Sequence, residues 1–189
     1  MRNPLKKMIN PLEMLSQDHE TVKTLFTNCE RTDPGVKRKL LAEEIFKNLQ
    51  LHAQLEEEIF YPAIREHLGS EGGTLVREAY REHGEMKELI GQLEQMDYGQ
   101  QPFIDRLRAL RDHVVAHAEK EEERMFPLVE TNLPMGELAF AMDKRRVQLM
   151  LQTPAPSVIA MFALGMVGIG AAILLFGGRT KGRRRSRAF

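Results

Sequence analysis

The stretch His52-Ala53-Gln54-Leu55-Glu56-Glu57-Glu58-Ile59-Phe60-Tyr61-Pro62 returns 65 residues later as His117-Ala118-Glu119-Lys120-Glu121-Glu122-Glu123-Arg124-Met125-Phe126-Pro127. Both copies carry H-x-x-x-E, a run of glutamates, and an aromatic residue followed by proline. Upstream, His19-Glu20 with Lys23 and Leu25 pairs with His83-Gly84 with Lys87 and Leu89, at an offset of 64 residues. One unit is therefore written twice: a histidine, and after it H-x-x-x-E. Residues i and i+4 share a helix face with Cβ atoms about 5–6 Å apart, so each unit sets an imidazole beside a carboxylate.

Proline and glycine divide the surrounding chain into helices. Asn10-Pro11, Asp33-Pro34 and Gln101-Pro102 are start signals, and the glycines at 69–73 and Asn132-Leu133-Pro134 are breaks. The expected helices are 11–31, 35–67, 74–97 and 102–131, followed by an amphipathic helix at 134–152. No segment alternates with period two, so no strand is expected. Each long helix has an apolar stripe at three- and four-residue spacing, interrupted in the middle by His19, by His52 and Glu56, by His83, or by His117 and Glu121. Short connections make sequential helices antiparallel neighbours. The expectation is an all-α, up-down four-helix bundle whose polar middles meet at one level.

Buried unpaired carboxylates cost several kcal/mol each, so a cation is their natural partner. Imidazole and carboxylate donors with open positions favour iron or manganese over calcium. Two divalent ions sharing Glu56 and Glu121 would each gain two histidines from His19, His52, His83 and His117. Room remains for an oxo or hydroxo bridge and a small molecule. A lone buried histidine is usually an ordinary core residue, and an exposed H-x-x-x-E is usually a salt bridge. Two copies in register on the core stripe fit neither reading. Glu57, Glu58, Glu122 and Glu123 read as a solvated face, with Glu122 the runner-up ligand beside Glu121. His113 has Asn48 as its repeat partner and precedes His117 by four residues; it is either a fifth ligand or an outer histidine at the rim.

The 189-residue chain is 42% hydrophobic and 29% charged, a globular balance. Its one cysteine, Cys29, excludes a disulfide framework and a multi-cysteine zinc site. The net charge of +0 is unevenly spread: all six charges after Phe176 are basic, so the rest is acidic and a poor nucleic-acid binder. Residues 157–176, SVIAMFALGMVGIGAAILLF, carry no charge and match the bilayer core in length. The expected organisation is an N-terminal segment (1–10), the bundle (11–132), a connecting helix (133–153), a transmembrane helix (154–178) and a basic tail (179–189). With no secretory leader visible, the metal domain is expected in the cytoplasm on a single-pass anchor. Small residues in the anchor allow a homodimer or a membrane partner.

Taken together, Asp18-His19-Glu20, H-x-x-x-E-E with Phe60-Tyr61-Pro62, Glu82-His83, and H-x-x-x-E-E with Phe126-Pro127 resemble the hemerythrin-like family, the HHE cation-binding domains, over roughly residues 11–131. The resemblance implies a four-helix bundle around a non-heme, oxo-bridged pair of iron ions that binds dioxygen or related molecules. It implies His19, His52, His83 and His117 as terminal ligands, with Glu56 and Glu121 as bridges. Oxygen-carrying hemerythrins have a second histidine on the third helix, where Ala79 and Lys87 flank His83 here. Their last carboxylate is an aspartate five residues after its histidine, where Glu121 follows His117 by four. These departures point to the broader HHE group rather than to oxygen storage. The expected function is a membrane-tethered di-iron protein that binds or senses dioxygen, nitric oxide or peroxide. The alternatives are a di-iron peroxidase or oxidase, an iron donor for iron–sulfur repair, or a membrane adaptor with a structural metal site. A ferritin-like oxidase fits less well, because that class uses E-x-x-H.

Overall fold

The computed structural model describes residues 10–152, and the described residues form helices and turns with no strand. α1 is Pro11–Arg31; the Asn10 side chain accepts from the Leu12 N–H at 2.9 Å, and Pro11 occupies the first turn. α2 is Val36–Leu55, entered through Gly35 at φ 134°. It runs through a wide turn, π1 (Glu56–Phe60), into α3 (Tyr61–Leu93). α4 (Gln101–Lys120) passes through π2 (Glu121–Met125) into α5 (Phe126–Asn132), and α6 is Met135–Gln152.

α3 is two rods joined at a kink. Gly69 has φ 55° and ψ −127°, a backbone conformation that side chains rarely tolerate. The break expected across 69–73 therefore shrinks to one residue. Gly72 stands where the second rod folds back on the first. A Cβ added there would meet the Ile64 carbonyl oxygen at 2.8 Å and the Leu68 Cβ at 2.7 Å. The four rods of the bundle are thus α1, α2 with the first turns of α3, the rest of α3, and α4 with α5. α1 packs on α2 and α4, and α3 on α4. α6 lies outside the four, against α1, α2 and π1.

Along every rod a polar layer separates two apolar zones. In α1, Leu15 and Val22 flank His19; in α3, Ala79 and Met86 flank His83; all are buried. Below the layer, Phe60, Tyr61, Phe126 and Val129 form one apolar cluster with Leu138, Met142 and Leu149 of α6. Burial pushes the Cys29 thiol up to about 11, leaving it no nucleophile at neutral pH. The expected transmembrane segment and basic tail lie outside the described residues. Among those residues no helix is long and apolar enough to cross a membrane.

Gly72→Ala is expected to lower stability by about 1–3 kcal/mol, because the new methyl must displace backbone rather than a flexible side-chain end. Thermal unfolding followed by circular dichroism checks this; an unchanged midpoint would show that the rods can part freely.

Candidate metal centre

Proline places the two key glutamates in widened turns. Pro62 and Pro127 have no N–H to give, and each ring collides with the carbonyl four residues back. The helix relieves this one turn earlier: the Tyr61 N–H reaches the Glu56 carbonyl, and the Phe126 N–H reaches that of Glu121. These five-residue steps are π turns, which recur at functional sites. Sequence spacing alone reads both prolines as part of an ordinary helix.

Six of the expected ligands meet in the polar layer. The Nε2 atoms of His19 and His52 are 3.1 Å apart, as are those of His83 and His117. Glu56 lies between the pairs, with Oε1 3.2 Å from His52 Nε2 and Oε2 3.3 Å from His83 Nε2. Glu121 Oε2 is 3.6 Å from both His19 Nε2 and His117 Nε2. Two groups of donors converge: His19, His52, Glu56 and Glu121 in one, and Glu56, His83 and His117 in the other, the ligand atoms of each within 4.8 Å. Glu56 belongs to both.

The opposite edge of each imidazole faces a carboxylate. His19 Nδ1 is 2.7 Å from Glu122, His83 Nδ1 2.8 Å from Glu57, and His117 Nδ1 2.9 Å from Glu82. His52 Nδ1 has Asp18 at 3.6 Å. Nδ1–H donors facing outward leave the Nε2 lone pairs facing inward, the tautomer a metal requires. Glu57 and Glu122 are therefore not solvated-face residues, and Glu122 is an acceptor for His19 rather than a ligand. The repeat carried the signal: Asp18 matches Glu82 at the 64-residue offset, and Glu57 matches Glu122 at 65.

The electrostatics call for cations. Glu56 Oε1, Glu121 Oε2 and His52 Nδ1 are buried with no hydrogen-bond partner. Burial works against both carboxylates. The His52 and His83 imidazoles overcome it for Glu56 and hold that carboxyl well below its ordinary value. Burial and the Glu56 charge together push Glu121 well above its own. Burial opposes a charge on His52, yet Glu56 and Asp18 outweigh it and raise His52 to about 10. Burial, then the His52 charge, brings His19 down to about 4. Orphaned carboxylate oxygens aimed at imidazole lone pairs fit a pair of divalent cations that protons replace only in part.

His113 is not brought to the cluster. Its side chain is half exposed, and Nδ1 is 3.6 Å from Glu85 on α3. Val114 takes the inward position on that turn of α4, so the fifth-ligand reading finds no support in the geometry.

Tyr61 is the residue that spacing missed. It is fully buried. Its hydroxyl donates to Glu121 Oε1 at 2.8 Å and lies 3.1 Å from His83 Nε2 and 3.3 Å from Glu56 Oε2. Burial, helped by Glu56 and Glu121, holds the phenol well above its ordinary pKa, so it remains a neutral donor. Its repeat counterpart is Phe126, which stacks on His19 with ring centroids 6.3 Å apart. Comparing Phe60-Tyr61-Pro62 with Met125-Phe126-Pro127 shows the difference, but not that the hydroxyl points inward.

The family described as Hemerythrin HHE cation binding domain matches residues 10–129. The chain belongs to this family. It is 35% identical over 128 residues to a DNA nickase of Nostoc, covering 68% of this chain and 36% of that protein. It is 24% identical over 127 residues to an uncharacterized hemerythrin-like protein of Schizosaccharomyces pombe, covering 67% and 63%. The chain thus spans about a third and under two thirds of these curated relatives. The crystal structure of a hemerythrin HHE cation-binding domain-containing protein from Mycobacterium kansasii superposes with a TM-score of 0.61 at 19% identity, over 84% of this chain and 99% of that one.

In the metal-free chain at neutral pH, His52, raised to about 10, holds a proton that a metal must displace, and the upward shift of Glu121 works in the same direction. Metal uptake is expected to release protons, with apparent affinity rising about tenfold per released proton for each pH unit between about 6 and 9. Titration calorimetry in buffers of different ionisation enthalpy reads the number released; identical heats in all buffers would contradict the assignment.

Proposed function

We propose that the protein holds two iron ions between the paired histidines and binds or senses a small oxidant: dioxygen, nitric oxide or peroxide. The observation that carries this reading is Glu56, fully buried and turned with one oxygen to each imidazole pair. His19 and His52 would hold one ion, His83 and His117 the other, with Glu56 and Glu121 shared. Iron is preferred to manganese on the family's usual chemistry. When bound, the ions supply one-electron redox steps and open coordination positions. The chain's own residues do the rest. The apolar zones exclude water, the outer carboxylates fix the imidazole rings, and Tyr61 keeps a neutral O–H at the centre.

The apolar stretch 157–176 supports a tether that would hold this centre beside a membrane. The nicking activity in the name of the Nostoc relative forms no part of the reading, because the chain spans 36% of that protein. The excess of acidic side chains before residue 177 disfavours nucleic acid.

Full-length protein loaded with ferrous iron under argon is expected to retain about two irons per chain. Absorption spectra should differ under argon, air and nitric oxide. Glu56→Gln with Glu121→Gln should abolish retention. Wild-type protein that keeps no iron, or a double variant that keeps it all, would overturn the reading.

An enzyme acting on peroxide is the second reading, and Tyr61 is what favours it: a neutral hydroxyl that donates a hydrogen bond stands among the ligands. Tyr61→Phe is expected to keep the metal and the fold. If peroxide is turned over, the variant should lose about tenfold or more in rate; if the protein only binds, neither form consumes peroxide.

A further inference from the structure

The four outer carboxylates differ in where their counter-charge comes from. Glu57 is held by Lys87 at 2.6 and 2.8 Å, whereas Lys23, the repeat counterpart of Lys87, pairs with Glu20 at 2.8 Å. Glu82 is held by Lys120. The residue matching Lys120 in the first unit is Leu55, so the bundle supplies no such cation for Asp18. The cation on Asp18 comes from α6: Arg146 forks onto both carboxylate oxygens at 2.6 and 2.7 Å.

The neighbouring positions follow the same division. Glu78, Lys120 and Arg124 form a charged group over the outer side of His117. Their counterparts are Met14, Leu55 and Ile59, which pack in the apolar cluster that contains Leu138, Met142 and Leu149 of α6. The first unit is thus written to be covered and the second to face water. α6 lies beyond the residues that match the family, 10–129. Between α6 and His52 a cavity of about 40 Å³ remains, lined by Asp18, Asn48, His52, Arg146 and Leu149.

We propose that α6 is a working part of the metal centre: Arg146 is a positioning residue that orients Asp18 toward His52 Nδ1, so that docking of α6 and metal affinity are coupled. This rests on the metal-centre reading above. The physical ground is geometric. His52 Nδ1 has no hydrogen-bond partner, and Asp18, at 3.6 Å, is the acceptor it faces. A guanidinium fork fixes a carboxylate in both position and plane. Released from it, the partly exposed Asp18 is free to turn to water, and His52 loses the group that orients its ring. Coupling is reciprocal, so a metal that holds His52 also tightens α6.

Cobalt(II) alone, titrated into the full-length protein against a competing chelator, tests this. Arg146→Gln is expected to weaken cobalt binding about tenfold, the low end for outer-shell partners of metal ligands, and to alter the cobalt d–d bands. Asp18→Asn should do the same, and the double variant should be no weaker than Asp18→Asn. Arg145→Gln removes another clasp of α6, on Glu58, loosening the helix without touching Asp18, and should weaken cobalt binding less than Arg146→Gln. Hydrogen exchange of α6 amides should slow on cobalt binding in wild type and not in Asp18→Asn. Unchanged affinity in Arg146→Gln would overturn the coupling, and equal losses in the Arg145 and Arg146 variants would overturn Arg146 as the residue that positions Asp18. A wild-type chain that binds neither cobalt nor iron would instead bring down the metal centre, and this inference with it.

Discussion

Two buried carboxylates, each with one oxygen lacking a hydrogen-bond partner, set the terms for the whole bundle. Glu56 and Glu121 sit between apolar zones where an uncompensated charge costs several kcal/mol. Everything nearby answers that cost. Four imidazoles turn their Nε2 atoms toward the glutamates; carboxylates bond three of them from behind, and Asp18 faces the fourth at 3.6 Å. In the metal-free chain protons are shared unevenly among them, Glu56 low and Glu121 high. Bound cations would remove the inequality, and the stability they added would be binding free energy expressed as folding free energy.

The inner layer was legible because it interrupts a period. A histidine or glutamate in an otherwise apolar helical stripe stands out, and two copies at offsets of 64 and 65 make coincidence hard to sustain. The four rods were legible for the same reason, together with proline and glycine punctuation. The outer carboxylates were harder. In Glu56-Glu57-Glu58, periodicity selects the residue facing the core and leaves its neighbour to solvent, whereas the π turn brings Glu57 back toward His83. That turn is a backbone response to Pro62, invisible to an ideal 3.6-residue wheel. His113, which the sequence leaves open between a fifth ligand and an outer histidine, lies at the rim because Val114 fills the inward position on that turn. Arg146 was beyond reach, since nothing local in sequence links it to Asp18, 128 residues away.

The repeat also explains why the fifth long helix exists where it does. A twofold bundle has two equivalent outer faces, yet Met14, Leu55 and Ile59 make one of them apolar while Glu78, Lys120 and Arg124 make the other charged. An apolar face left open would favour self-association. α6 closes it within the chain and brings a cation to Asp18, whose counterpart Glu82 takes its own from the bundle.

Tyr61 and Phe126 occupy matching places in the two halves, one ending in a hydroxyl and the other in bare ring carbon. The duplicated scaffold therefore has a head and a tail. A small molecule with unlike ends, were one held between the histidine pairs, would meet an O–H on one flank and hydrocarbon on the other, and the twofold pattern of the frame would no longer make its two orientations equivalent.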